Sequence, residues 1–154
     1  MPVRGKVQPM PFAQFSETEQ QALLQAARQA QRAAYAPSSH YRVGAAVLDE
    51  RGRIHAGCNV ENAAYPEGLC AEAAALAAMV LAGGTRARAV LVAGSGGKGN
   101  RGWTTPCGGC RQKLREFGDP DLAILTASQD HTGPHYTLAQ LLPESFGPDH
   151  LNPG

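Results

Sequence analysis

The chain has 154 residues, 43% of them hydrophobic and 18% charged, which suffices for one sizeable core in an ordinary soluble domain. Lys+Arg 14 against Asp+Glu 13 leaves a formal charge of +1. That near-balance argues against nucleic acid as a partner, because polyanion binders carry a clear basic excess. Arg86 with Arg88, and Lys98 with Arg101, read as solvated surface charge. No stretch approaches the roughly 20 apolar residues of a membrane span, and Met1 to Met10 holds no apolar signal core. The expected setting is therefore cytoplasmic. There the four cysteines are reduced thiols or metal ligands rather than disulfides.

Residues 1–15, broken by Pro2, Pro9 and Pro11, are expected to be an irregular lead-in. Ser16 and Glu19 form a capping box that opens a helix to about Ala34, stopped by Pro37. Tyr41 to Leu48 is a short apolar run suited to a strand buried on both faces. Asp49 to Gly52 makes a turn, and Arg53 to Asn59 pairs back. After a loop over 62–69, Cys70 to about Ala82 is apolar nearly all round. It predicts a buried helix ended by Gly83-Gly84. Ala87 to Ala93 reads as a third strand, Cys107 to Phe117 as a helix closed by Gly118, and Leu122 to Thr126 as a fourth strand. A short helix over Thr137 to Leu142 and a tail containing Phe146 complete a layered α/β domain spanning 1–154, with no repeat or linker.

Three cysteines and a glutamate carry the chemistry: Cys70-Ala71-Glu72 and Pro106-Cys107-Gly108-Gly109-Cys110. At a helix start, Cys107 and Cys110 place both thiols on one face, as two corners of a zinc tetrahedron. Cys70 supplies a third corner. No further cysteine or histidine accompanies either motif, so the fourth corner is left to water and the site reads as catalytic. Glu72 is the group to move protons on and off that water. Because residues two apart on a helix face apart, Cys70 must stand at the helix boundary in non-helical geometry. A zinc with three thiolates carries a net −1, so helix N-termini and a nearby cation should draw charge off it. Arg111, next to Cys110, is the candidate. Zinc deaminases pair this metal geometry with a glutamate that is not a ligand.

The motifs together resemble the cytidine deaminase family of small homotetrameric zinc enzymes. They are Ala34-Tyr35-Ala36-Pro37, Val43-Gly44-Ala45-Ala46, Gly57-Cys58-Asn59-Val60-Glu61-Asn62-Ala63, Tyr65-Pro66, Cys70-Ala71-Glu72, Pro106-Cys107-Gly108-Gly109-Cys110-Arg111-Gln112 and Leu141 to Pro148. The resemblance implies a three-layer α/β/α fold with a central mixed, roughly five-stranded sheet. It also implies one zinc per subunit on Cys70, Cys107 and Cys110, with Glu72 as proton shuttle in deamination of cytidine and 2′-deoxycytidine. Asn59 and Glu61 would bind the ribose hydroxyls, and the backbones of Ala63 and Ala71 the base and the metal's water. Tyr41 would line the substrate where the family usually has phenylalanine. Phe146 and Tyr65 would act across subunits, with the tail 143–154 at an interface.

Two features depart from the family pattern. Ala73 stands where the family commonly has an arginine bonded to a zinc thiolate, and the stretches 94–105 and 129–136 match no family motif. Cys58 is read as a structural thiol, and the five histidines as surface or hydrogen-bonded groups. The rival readings are a same-fold deaminase of a cytosine-bearing antibiotic such as blasticidin S, a polynucleotide editor, and a zinc-stabilised module without catalysis. The +1 charge and 6% aromatics disfavour the editor.

Overall fold

The computed structural model describes residues 15–95, 103–128 and 131–152. The first element is α1, Glu17–Ala33, and its capping box is formed as expected. The Glu19 amide donates to the Ser16 hydroxyl at 3.1 Å, and the Ser16 amide donates to the Glu19 carboxylate at 2.9 Å. The hairpin β1 (Val43–Asp49) and β2 (Ile54–Cys58) follows, then a 3-10 turn at Tyr65–Glu67 and α2 (Ala71–Leu81). The chain continues through β3 (Ala87–Gly94), α3 (Gly108–Phe117), β4 (Ala123–Ala127), β5 (Thr132–Thr137), α4 (Leu138–Leu141) and α5 (Pro148–Leu151).

The strands form one mixed sheet in the order β2-β1-β3-β4-β5. Only β3 and β4 are parallel, joined through α3; the other pairs are antiparallel. Alternation along the strands sorts side chains to two faces. Ala46, Leu48, Ala89, Leu91, Ala93 and Leu125 pack under α1 with Leu23 and Ala27. Ala45, Val47, Val90, Val92 and Ile124 pack against α2, α3 and α4 with Ala75, Met79, Leu114 and Leu138. The result is the three-layer α/β/α arrangement.

Glycine at two positions lets the helices lie directly on the strands. A Cβ at Gly44 would lie 1.9 Å from the Ala27 carbonyl of α1, and one at Gly57 would lie 2.4 Å from the Ala75 amide nitrogen of α2. At its other end α2 closes in the expected way. Gly83 has a φ of 85°, its amide reaches the Val80 carbonyl, and that of Gly84 reaches Met79.

One expectation needs correction. The helix over 71–81 is not covered all round: Val80 is 50% and Leu81 91% exposed, because the sheet covers one side only. The roughly five-stranded sheet that the resemblance implies is present; its fifth strand, Thr132–Thr137, is not placed by the residues, because Gly133 and Pro134 mask its periodicity, and Pro is tolerated because the strand is at the sheet edge. In the tail, Pro148–Leu151 makes a helical turn. The lead-in over 1–14 and most of the glycine-rich 95–105 stretch lie outside the described residues.

The far end of the sheet is tied by Asp49, whose side chain is fully buried. Its carboxylate accepts from the amides of Arg51 and Arg53, each at 2.9 Å, from Arg53 Nε at 2.9 Å and from His55 Nε2 at 2.7 Å. Arg53 also donates to the Ala82 carbonyl at 2.9 Å, which joins the hairpin to the end of α2. Burial acts to raise the Asp49 pKa, but the donors from His55, Arg53 and Arg51 together hold it well below the usual carboxylate range. A depressed folded-state pKa adds stability that is complete above the unfolded value of about 3.9 and is lost as pH falls below it.

Two outcomes are expected. Asp49→Ala, which leaves Arg53 and His55 without their buried partner, should cost about 3 kcal/mol. That corresponds to a Tm lowered by about 6–12 °C at neutral pH. A pH series of thermal melts should show the difference from wild type shrinking below pH ~4. Gly57→Ala should push α2 off the sheet and destabilise by about 1–3 kcal/mol. Chelator competition should show weaker zinc retention if α2 positions the metal site.

Candidate metal and catalytic site

Two helix starts converge at the end of the sheet opposite Asp49. Cys70 precedes α2 with φ −77° and ψ 150°, and Cys107 precedes α3 with φ −65° and ψ 166°. Both are extended, which is the geometry that Cys70 requires for Glu72 to share its site. Cys110 lies in the first turn of α3 and is buried. The three sulfurs lie within 4.8 Å of one another, with Cys70 Sγ and Cys107 Sγ 3.9 Å apart.

The donor set fits zinc. Bonds of about 2.3 Å in a tetrahedron separate two sulfurs by about 3.8 Å. Among the described residues, the group holds no fourth cysteine, histidine or carboxylate. The electrostatics point the same way. Burial, reinforced by the charge on Glu72 and the other two sulfurs, pushes the Cys110 thiol far up. Burial also raises Cys70, with Cys107 and Glu72 adding to it. Cys107 moves down despite burial, because the Cys110 amide and the neighbouring thiols donate to its sulfur. The cluster therefore gathers sulfurs that cannot all become thiolates unless a cation joins them.

Glu72 is 4% exposed in the first turn of α2. Burial raises its pKa, while its own backbone amide, the Cys110 thiol and Lys113 pull it down less strongly. Ala71, at the first position of α2, is fully buried.

Next to this centre, the segment 59–69 and the Tyr41 region form a polar wall. Asn59 accepts from the Val43 amide at 2.8 Å and donates to the Tyr41 carbonyl at 2.9 Å, which clamps β1 and β2 together beyond their last rungs. Glu61 accepts from the Ser38 amide at 2.8 Å, from the Ser39 amide, and from the Ser39 hydroxyl. The Ser39 hydroxyl is the main cause of its lowered pKa. Ser38, Ser39, Glu61, Asn62, Tyr65 and Gly68 surround a cleft of about 380 Å³. Ala63 is exposed above a turn in which the Ala64 amide donates to Asn62 Oδ1 at 2.8 Å.

Tyr65 is 79% exposed and Phe146 57%, so neither packs into this chain's core. Phe146 stacks on His150 with centroids 5.0 Å apart, and its carbonyl accepts from Gln112. The Arg111 guanidinium does not hydrogen-bond to a cysteine among the described residues. It donates to the carbonyls of Pro106 (2.7 Å) and Leu141 (2.8 Å) and to Thr105 Oγ1 (3.2 Å). It thus braces the approach to Cys107, and its charge reaches the sulfurs only through space.

Two partners went unread in the sequence. Ser39, which holds Glu61, belongs to a Ser-Ser pair after Pro37 that has no signature apart from turn chemistry. Thr104 hydrogen-bonds the Tyr41 hydroxyl, so the polar atom that tyrosine brings to this wall has a partner beside the metal loop. Cys58 is half-buried and free, apart from the sulfur cluster. His55 is the hydrogen-bonded histidine expected of it.

Fold and site together define a three-layer α/β/α protein with a three-sulfur cluster fit for zinc at two helix starts. A family model described as cytidine and deoxycytidylate deaminase zinc-binding region matches residues 17–126. A cytidine deaminase of Mycobacterium tuberculosis is 42% identical over 125 residues, covering 81% of this chain and 87% of that one. One from Sporosarcina psychrophila is 35% identical over 130 residues, covering 84% and 93%. The crystal structure of cytidine deaminase from Burkholderia pseudomallei superposes with a TM-score of 0.74 at 38% identity, covering 82% of this chain and 98% of that one. The chain belongs to the cytidine and deoxycytidylate deaminase family.

Metal analysis of the purified protein should find about one zinc per chain. Cys110→Ala should bind little or none and melt at a lower temperature, since metal binding is coupled to the folded state.

Proposed function

We propose that this chain hydrolyses cytidine and 2′-deoxycytidine to uridine and 2′-deoxyuridine with release of ammonia. The observation that carries the reading is a buried carboxyl, Glu72, beside a three-sulfur cluster with no fourth protein ligand among the described residues. Cys70, Cys107 and Cys110 would hold the zinc, which when bound supplies a Lewis acid that acidifies water. Glu72 takes a proton from the attacking water and passes protons to the ring nitrogen and to the departing amine. Its burial supports that role, since a raised pKa suits a carboxyl that both accepts and returns protons.

The ribose binds at Asn59 and Glu61. Asn59 keeps one amide N–H beyond its bond to Tyr41, and Glu61 keeps lone pairs beyond those used by Ser38 and Ser39. Tyr41 lines the substrate pocket, and the backbones of Ala63 and Ala71 contact the base and the water. Arg111 offsets the thiolate charge through space, with the two helix N-termini.

The chain acts as a single domain in a homotetramer, in the cytoplasm, in pyrimidine salvage. Tyr65 and Phe146 complete the site of a neighbouring subunit. Their exposure supports this, and Ala77, Val80 and Leu81 of α2, with Phe117 of α3, provide apolar surface for contact between subunits.

Glu72→Gln should lower kcat by about 10²–10⁴-fold with zinc content and melting temperature retained. The loss of cytidine absorbance measures it. Unchanged activity would exclude the proton-shuttle role. Turnover of blasticidin S without turnover of cytidine would move the substrate to the antibiotic.

A further inference from the structure

One face of the molecule concentrates positive charge that the deaminase site does not use. Arg28 and Arg32 lie one turn apart on α1, and Arg42 lies just before β1; with Gln31 and Ser95 they line a cleft of about 190 Å³. None of the three arginines is ion-paired among the described residues. By contrast, Arg51, Arg53, Arg86 and Arg115 each pair with a carboxylate. The Arg28 Nε–H is buried without an acceptor.

The cleft is also held in shape. The Ser95 hydroxyl accepts from the Arg42 amide at 2.7 Å and donates to the Arg42 carbonyl at 2.8 Å. The Gln31 amide donates to that same carbonyl at 3.3 Å. Arg42 Nη1 donates to the Arg32 carbonyl at 3.0 Å, and Arg28 Nη2 to the Ser128 carbonyl at 3.3 Å. Each of these two guanidinium groups thus spends one bond on backbone among the described residues and retains further donors. Arg32 is exposed, and its side chain makes no hydrogen bond among the described residues.

Three guanidinium groups around one small cleft repel one another unless an anion joins them, and their forked donors match phosphoryl oxygens. The volume is below the ~300–1,000 Å³ of sites that enclose whole small molecules, so one or two phosphoryl groups suit it. We infer that Arg28, Arg32 and Arg42 form a binding site for a compact oxyanion, a phosphate or diphosphate group either free or carried by a nucleotide.

The test uses the full-length zinc-loaded protein. Sodium phosphate, sodium pyrophosphate and cytidine 5′-triphosphate are titrated by calorimetry and thermal melts, each against sodium chloride at equal ionic strength. Saturable binding with a raised Tm is expected for pyrophosphate. Arg28→Gln and Arg32→Gln should each weaken it by about tenfold, the scale of one lost charged hydrogen bond. Arg32→Gln removes an exposed side chain, so it separates loss of the site from loss of the fold. Tighter binding of the triphosphate than of pyrophosphate, lost equally in both variants, assigns the site to a nucleotide's phosphates; the reverse order assigns it to the free anion. Shifts no larger than those of sodium chloride, or shifts retained in both variants, overturn the inference.

Discussion

Everything in the site follows from the electrostatic difficulty of holding three sulfurs and a carboxyl together. The thiols lie within 4.8 Å of one another, with a buried glutamate beside them, and burial drives the Cys70 and Cys110 pKa values up. Protons or a divalent cation must neutralise such a cluster. The spacing of 3.9 Å between two of the sulfurs matches tetrahedral zinc. Two helix N-termini aimed at one point supply partial positive charge that favours the thiolates. This compensation matters more here because Ala73 stands where an arginine would otherwise help and Arg111 is committed to Pro106, Leu141 and Thr105.

The sheet exists, in functional terms, to make those two helices meet. Gly57 brings α2 to within backbone contact of β2, and Gly44 does the same for α1 on β1. The parallel pair β3 and β4 requires a crossover, which is α3, and the start of that crossover carries Cys107. At the opposite end the buried Asp49 fastens the hairpin turn to the last turn of α2 through Arg53. The helix that carries Glu72 is therefore pinned at both ends, which keeps that carboxyl in place.

Charge is handled differently on the two sides of β1. Toward the polar wall, each of these groups has a partner close in space: Glu61 has Ser38 and Ser39, Asn59 has Val43 and Tyr41, and the Tyr41 hydroxyl has Thr104. Toward α1, three arginines share a cleft without a carboxylate among the described residues. The first pattern holds its polar groups in fixed positions, whereas the second leaves positive charge unmet among the described residues.

Much of this was readable from residue order, because it rests on local chemistry. Ser16 with Glu19, Gly83-Gly84 and Gly118 mark helix ends through bonds that span a few residues. The Pro-Cys-x-x-Cys spacing declares two ligands on one face of a helix start, and Cys-Ala-Glu adds the third sulfur and the glutamate once Cys70 stands outside its helix. The strand Thr132–Thr137 escaped because Gly133 and Pro134 obscure its alternation, and its place at the edge depends on pairing with β4. Likewise, nothing near Val80 and Leu81 tells which side of an apolar helix the sheet will cover. The bonds of Ser39 to Glu61 and Thr104 to Tyr41, and the meeting of Arg42 with Arg28 and Arg32, join residues 10 to 63 positions apart. Such encounters are set by how layers pack, and packing distances leave no period in the chain; only folding brings those groups together.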